Sequence, residues 1–241
     1  MPEQTERRGS AAVSWLASPK HLYEDRYRLL SRDIPLVAKS GRGELFAVCD
    51  GISSAPLGRS AAQTVADALL AFYRDPTTYP ATTEGLERIL LQANQSIFDW
   101  GYIGGTNYTK GGCVGTVAWL QEDHLTLLHA GDTVGMLLRP GEEPRLLTAL
   151  HETGGAIGRY FGMGESLQLQ IDEVSVEEGD VVLLMSDGVT KAFSPAEAAV
   201  FVWEIFERCG DLGQAAEALV NRSMKRGSTD DITVLLTEVE E

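Results

Sequence analysis

The chain has 241 residues, of which 44% are hydrophobic and 23% are charged, the proportions of an ordinary globular protein large enough to bury a substantial core. Its 35 acidic and 20 basic residues give a formal net charge of −15, which argues against nucleic acid or an anionic membrane as the main partner. No apolar stretch approaches the roughly 20 residues that would cross a bilayer.

Hydrophobic periodicity predicts a single domain over residues 11–241, after a disordered tail at residues 1–10. A pair of strands is expected at residues 11–16 and 34–39. A strong strand, rich in apolar residues, follows at residues 44–49.

The pattern then changes to helices at residues 58–74 and 83–100, whose apolar residues recur with helical period. Helices are also expected at residues 194–208, with Ser194-Pro195 as N-cap and first-turn proline, and at 212–225. The remaining strands are predicted at residues 112–120, 124–130, 134–139, 167–174, 180–186 and 232–239. This order predicts an α+β fold, a four-layer α-β-β-α sandwich of two mainly antiparallel sheets flanked by helix pairs.

Four aspartates lie at the ends of predicted strands. Asp50 and Asp187 each end an apolar run and precede a glycine, whereas Asp132 follows one strand and Asp230 opens the last. Carboxylates that crowd together in a fold need cations to neutralise them, and Mg²⁺ or Mn²⁺ accept such oxygen ligands. The pattern therefore predicts a metal-dependent hydrolase.

Five segments resemble the metal-dependent protein phosphatases of the protein phosphatase 2C (PPM) family, in the family's order. They are Tyr23-Glu24-Asp25, Phe46 to Gly51, His129-Ala130-Gly131-Asp132-Thr133, Gly179-Asp180 through Ser186-Asp187-Gly188, and Gly227 to Val234. The last of these matches the closing motif of the family nearly residue for residue. A single Asp-Gly pair is common, so the order of the five carries the resemblance.

The resemblance implies a centre of two Mg²⁺ or Mn²⁺ ions in a cleft between the sheets. Asp50 would bridge both ions, with the Gly51 carbonyl on one of them, and Asp187 and Asp230 would hold the other. The full set of implied metal ligands is Glu24, Asp50, Gly51, Asp132, Asp187 and Asp230. Such a pair of ions activates a water for direct attack on phosphorus.

On the same pattern Glu24 and Asp25 would anchor a metal-bound water, and Asp25 and Lys20 are the implied catalytic residues. The family usually has an arginine where this chain has Lys20. A lysine offers phosphate a point charge and not a bidentate fork. Arg26 or Arg59 is the alternative source of that fork, and a surface role for Lys20 remains open.

Two further positions depart from the family pattern. Ser53-Ser54 replaces a glycine pair, and Lys191 replaces an aspartate that, with Asp132, helps to hold a third, weaker ion. We hypothesise that the ammonium of Lys191 pairs with Asp132 or Asp187 and takes the place of that ion. A third metal site is therefore doubtful.

Residues 151–166 stand where bacterial relatives have a longer flap, and they contain five glycines. A shortened flap would leave the cleft open to a folded protein substrate. The alternative is a flexible loop without a role.

The cysteines give no sign of a different chemistry. A phosphate-cradling cysteine needs an arginine six residues later, and none follows Cys49, Cys113 or Cys209 at that spacing. Three cysteines without framework spacing indicate free thiols, so we expect a cytoplasmic protein.

The leading hypothesis is a Mg²⁺- or Mn²⁺-dependent phosphatase that acts on phosphoserine and phosphothreonine in proteins and reverses a kinase. Its expected partner is a phosphorylated protein, either a Ser/Thr kinase or the target of one. A catalytically weak binding module with the phosphatase fold is the alternative, motivated by Lys20, Ser53-Ser54 and Lys191. A phosphatase of small phosphoesters is a third hypothesis.

Overall fold

The computed structural model describes residues 4–103, 106–107, 111–154 and 156–240 of the chain. Its strands are β1 (Gln4–Arg8), β2 (Ala11–Leu16), β3 (Arg26–Leu30), β4 (Glu44–Gly51), β5 (Tyr102–Ile103), β6 (Thr106–Asn107), β7 (Cys113–Gln121), β8 (His124–Ala130), β9 (Val134–Leu138), β10 (Arg145–Leu146), β11 (Glu152–Thr153), β12 (Ala156–Ile157), β13 (Gln170–Ser175), β14 (Val181–Met185) and β15 (Ile232–Glu238). Its helices are α1 (Pro35–Ser40), α2 (Gly58–Ala68), α3 (Ala71–Arg74), α4 (Thr83–Asp99), α5 (Asp187–Thr190), α6 (Pro195–Cys209) and α7 (Leu212–Lys225).

Two antiparallel sheets form the centre of the fold. One has the strand order β1-β2-β15-β14-β9-β10 and the other the order β13-β8-β7-β4-β3. Side chains from both sheets share one buried core, while α2 and α4 cover the outer face of the second sheet and α6 and α7 that of the first. The predicted α-β-β-α sandwich is confirmed.

Alternation along β4 shows why the sequence forms these layers. Phe46 and Val48 belong to the core between the sheets, whereas Leu45 and Ala47 pack in the core beneath the helices. Successive side chains of a strand point to opposite faces, so a strand between two layers must be apolar on both. This requirement explains the continuous apolar run.

The strand predicted at residues 34–39 is absent, and Pro35–Ser40 form helix α1 in its place. Pro35 occupies the first turn of α1, and Gly41 ends the helix at a φ of 62°. Proline fixes a helical φ at this position and glycine adopts the left-handed conformation that ends a helix, so these two residues override the apolar character of the segment. The partner strands of β2 are instead β1 and β15.

The structure also differs from the prediction at two other places. Residues 4–8, part of the predicted disordered tail, form the edge strand β1, and Arg7 contacts Asp211 at 3.0 Å. The helix predicted at residues 58–74 is divided into α2 and α3, because Leu70 and Phe72 bond to carbonyls three residues back. No helix in the described parts of the chain has the length and apolar character needed to cross a membrane.

Asn94 of α4 fastens the predicted flap, residues 151–166, to the domain. Its side chain is fully buried, accepts a hydrogen bond from the Gly162 amide at 2.8 Å, and donates one to the Gly164 carbonyl at 2.9 Å. At the start of the segment, the His151 amide donates to the Gly131 carbonyl at 2.9 Å. Both ends of the segment are therefore anchored.

We expect Asn94→Ala to lower the free energy of unfolding by about 2 kcal/mol, because the buried Gly162 amide loses its acceptor. Urea unfolding measures this, and limited proteolysis should show faster cleavage within residues 151–166. The matched control is Gln95→Ala, which removes a surface hydrogen bond to Asp99 and should cost less than about 0.5 kcal/mol. Equal losses in the two variants would contradict the anchoring role.

Candidate active site

The topology brings four strand ends to one edge of the sandwich. Asp50 lies at the end of β4, Asp132 two residues after β8, Asp187 two residues after β14, and Asp230 two residues before β15. Because β14 and β15 are antiparallel neighbours, the end of one strand and the start of the other share an edge. The four aspartates singled out in the sequence therefore lie in one region.

A glycine beside two of these aspartates lets the backbone pack closely. A Cβ atom on Gly51 would lie 2.6 Å from the carbonyl carbon of Gly58, at the start of α2. A Cβ atom on Gly188 would lie 1.9 Å from the carbonyl oxygen of Asp231. Any side chain at either position would collide with this neighbouring backbone and force it to shift.

The carboxylates are close enough to raise one another's pKa values. Burial, followed by the charges of Asp25 and Asp187, raises the pKa of Asp50 well above its ordinary value. Burial and the charge of Asp187 raise the pKa of Asp132 to about 6. The Oδ1 atom of Asp132 is buried and has no hydrogen-bond partner in the described structure.

Asp25 lies at the inner end of the cluster and is fully buried. Its Oδ2 atom accepts a hydrogen bond of 2.6 Å from the Thr233 hydroxyl, which is also 2.6 Å from the Tyr23 hydroxyl. Its Oδ1 atom has no partner among the described residues. Burial, together with the charge of Asp231, raises the pKa of Asp25 to about 7.

Asp231, which the sequence analysis did not single out, holds the loop that carries Glu24 and Asp25. Its carboxylate is 3% exposed and accepts hydrogen bonds of 2.6 Å from the amides of Ser18 and Glu24. The only sign of this role in the sequence was that two aspartates, Asp230 and Asp231, stand side by side. One aspartate of the pair orders the loop, while the other faces the cluster.

Lys191 joins two of the aspartates. Its ammonium donates hydrogen bonds to Asp187 at 2.6 Å and to Asp230 at 2.5 Å. Burial acts to raise the pKa of Asp230, but the hydrogen bond and the charge of Lys191 outweigh burial and hold this pKa below its ordinary value. The hypothesised pairing with Asp187 is present, and the lysine acts on Asp132 through its charge.

Lys20 lies beside this cluster without touching a carboxylate. Its ammonium donates to the Thr229 hydroxyl at 2.8 Å and is exposed to solvent. Its neighbour His21 approaches more closely, with Nε2 3.3 Å from an Asp230 oxygen. A hydrogen bond to the Leu22 carbonyl and the charges of nearby aspartates raise the pKa of His21. The sequence spacing did not indicate the contact between His21 and Asp230.

Of the alternative arginines, Arg26 is committed to the loop. Its guanidinium donates to the carbonyls of Tyr23 and Asp25 and to the Gln63 side chain. Arg59 lies exposed in the first turn of α2 and is near enough for its charge to lower the pKa of Arg26. Of the three cations compared, Lys20 and Arg59 are the exposed ones.

The donors that converge here suit hard cations. They are carboxylate oxygens, and the carbonyl of Gly51 follows directly after Asp50 in the sequence. Mg²⁺ and Mn²⁺ prefer such oxygen ligands. Over the described residues, no three or more His, Cys, Asp or Glu side chains are already arranged as a finished metal site. At two of these carboxylates, Asp187 and Asp230, the ammonium of Lys191 is already in contact.

Comparison with known proteins identifies the family and several relatives. The model of the family described as Stage II sporulation protein E (SpoIIE) matches residues 103–240. Serine/threonine phosphatase stp of Listeria innocua is 30% identical over 119 residues, 49% of this chain and 43% of that protein. Protein phosphatase PhpP of Streptococcus pneumoniae is 28% identical over 156 residues, 65% of this chain and 58% of that protein. The chain thus spans about half the length of these curated relatives.

Solved structures confirm the fold. The catalytic domain of the serine threonine protein phosphatase PstP, in complex with two manganese ions, superposes with a TM-score of 0.76 at 20% identity, covering all of both chains. Because the family model covers more than half of the chain, the chain belongs to the SpoIIE family, and its fold is PP2C-like.

Proposed function

We propose that this chain is a metal-dependent phosphatase that hydrolyses phosphoserine and phosphothreonine in proteins. The observation that carries the proposal is the cluster of carboxylates at one edge of the sandwich, of which Asp25, Asp50 and Asp132 have raised pKa values. Carboxylates held together in this way are stabilised by divalent cations. The curated relatives, one named as a serine/threonine phosphatase and one as a protein phosphatase, support the choice of reaction.

The residues present fit two Mg²⁺ or Mn²⁺ ions. The Oδ1 atoms of Asp25 and Asp132 are buried and have no hydrogen-bond partner among the described residues. A cation or its water ligands would supply the missing partner. Asp50, Asp187 and Asp230, with the Gly51 carbonyl, would hold the ions, and Glu24 would bind through their water. When bound, such ions lower the pKa of a water and stabilise charge in an in-line displacement at phosphorus.

The remaining chemistry falls to side chains of the chain itself. Asp25, with one free oxygen and a pKa of about 7, would orient the attacking water and accept its proton. Lys20 and Arg59 would attract the phosphate dianion at the rim. Lys191 would neutralise charge that a third ion balances in relatives, so two ions are proposed and not three.

Burial excludes two of the three cysteines as phosphate-accepting nucleophiles, and the exposed Cys209 lies at the far end of α6 from Pro195. Cys49 and Cys113 are fully buried, and burial raises the pKa of the Cys49 thiol to about 12. A thiol in that state is not a nucleophile near neutral pH. Direct attack by water therefore suits the site better.

The substrate is proposed to be a phosphorylated protein, so the enzyme would reverse a Ser/Thr kinase. The net charge of −15 fits a protein partner and disfavours nucleic acid. A second candidate function is a binding module with weak catalysis. The ion pairs of Lys191 with Asp187 and Asp230 favour that candidate, because they compete with metal for two ligands.

We expect hydrolysis of an aryl phosphate and a phosphothreonine peptide with Mn²⁺ or Mg²⁺, and none with chelator. Asp187→Asn should lower kcat by about a hundredfold or more, since it removes a metal ligand. The matched control is Asp123→Asn, in the exposed turn between β7 and β8. No turnover with any metal, from protein shown to be folded by circular dichroism, would favour the binding module.

Lys191→Met should tighten Mn²⁺ binding by about tenfold or more, because it removes a positive charge from two proposed ligands. Isothermal calorimetry measures the affinity directly, without reference to turnover. Lys39→Met, on the exposed surface of α1, removes the same charge at a distance and should leave the affinity unchanged. Equal affinities in the wild type and Lys191→Met would refute the competition.

Without metal, the protein should be more stable at pH 6 than at pH 7.5, by about 1 kcal/mol. Asp25, with a pKa of about 7, and Asp50 have folded-state values above those of the unfolded chain, so the folded state binds protons first as the pH falls. His129, whose pKa burial lowers to about 4, opposes this trend.

Urea unfolding in chelator at the two pH values measures the effect. Asp50→Asn should reduce the difference, and saturating Mn²⁺ should abolish it. Lower stability of the metal-free wild type at pH 6 would contradict the raised pKa values.

A further inference from the structure

A cavity of about 320 Å³ opens directly against the carboxylate cluster. Asp132, Asp187 and Lys191 form part of its wall, so it is continuous with the proposed catalytic centre. A group bound in this cavity would lie next to the phosphate under attack.

Four of the other lining residues are apolar, namely Val134, Leu146, Leu150 and Pro195, and they share the wall with Thr133, Thr148, Thr190 and Glu152. The two leucines are 52% and 61% exposed, although most of the large apolar side chains of the described fold are buried. Leucines left in water around a concave surface are a sign of a binding site.

The charges at the cavity restrict what can occupy it. Glu152 and Asp132 line it with negative charge, and the ammonium of Lys191 is already engaged by two aspartates. An acidic side chain would be repelled, and a polar one would leave the leucines exposed. An apolar side chain gains most from this environment.

We propose that this cavity, which we call the Leu146–Leu150 pocket, binds an apolar side chain of the phosphoprotein substrate near the phosphorylated residue. This inference rests on the proposed function and adds a substrate class to it. An extended peptide advances about 3.3–3.6 Å per residue. Because the pocket shares walls with the catalytic centre, its occupant lies one to three residues from the phosphoserine or phosphothreonine.

A larger cavity, of about 660 Å³, lies away from the carboxylate cluster. It is lined by residues such as Glu44, Glu122 and Asp123 at the opposite end of β4 and β7, and it shares no residue with the cluster. The position of the Leu146–Leu150 pocket, and not its size, therefore carries the inference.

The test is a scan of phosphothreonine peptides with Mn²⁺, beside an aryl phosphate that has no peptide. Each of the three positions on either side of the phosphothreonine carries leucine or serine in turn. We expect leucine to raise kcat/KM about tenfold over serine at one or two positions, as partial burial of one such side chain predicts. Leu146→Ser/Leu150→Ser should bring this ratio below about threefold.

The matched control is Leu36→Ser, which replaces a leucine that is 38% exposed on α1 and should keep the tenfold ratio. Turnover of every peptide with no preference for leucine would overturn this inference and leave the proposed function standing. A leucine preference that survives in the double variant would also overturn it. No turnover of peptides or aryl phosphate by folded, metal-loaded protein would overturn both.

Discussion

Repulsion among carboxylates at one edge of the sandwich is the constraint on which the rest of this molecule depends. Asp25, Asp50, Asp132 and Asp187 are buried or half-buried, and their charges act on one another. A fold accepts such a cluster only if positive charge offsets it. Lys191 supplies part of that charge, and we propose that divalent cations supply the rest. The helices and the three buried cores hold these side chains in place.

The neighbours Asp230 and Asp231 illustrate how one short motif serves two purposes. Asp231 accepts two short backbone hydrogen bonds and fixes the loop before β3, which carries Asp25 into the cluster. Asp230 remains half-exposed and meets Lys191 and His21. The residue that orients the site and the residue that takes part in its charge balance are therefore neighbours in sequence, but their side chains make separate contacts. The Leu146–Leu150 pocket extends the same edge with a surface suited to binding and not to chemistry.

The sequence predicted the elements in which periodicity is strong, and it failed where local or distant interactions decide. The strands around Phe46 and Leu127 and the helix α7 were predicted almost to the residue because their apolar patterns are continuous. The strand predicted at residues 34–39 was wrong, because the capping residues Pro35 and Gly41 outweigh the apolar content of the segment. β3 was missed because arginines interrupt its pattern. The bonds of Asp231 to residues more than 200 positions away cannot be found from spacing.

The central claim is that this cluster is a site for two divalent cations, and anomalous diffraction from crystals grown in Mn²⁺ tests it most directly. The account predicts two anomalous peaks at the carboxylates, with Asp50 between them, Asp187 and Asp230 on one of them, and the ammonium of Lys191 displaced. A crystal saturated with Mn²⁺ that has no peak at the cluster, with Lys191 still bound to Asp187 and Asp230, would contradict it.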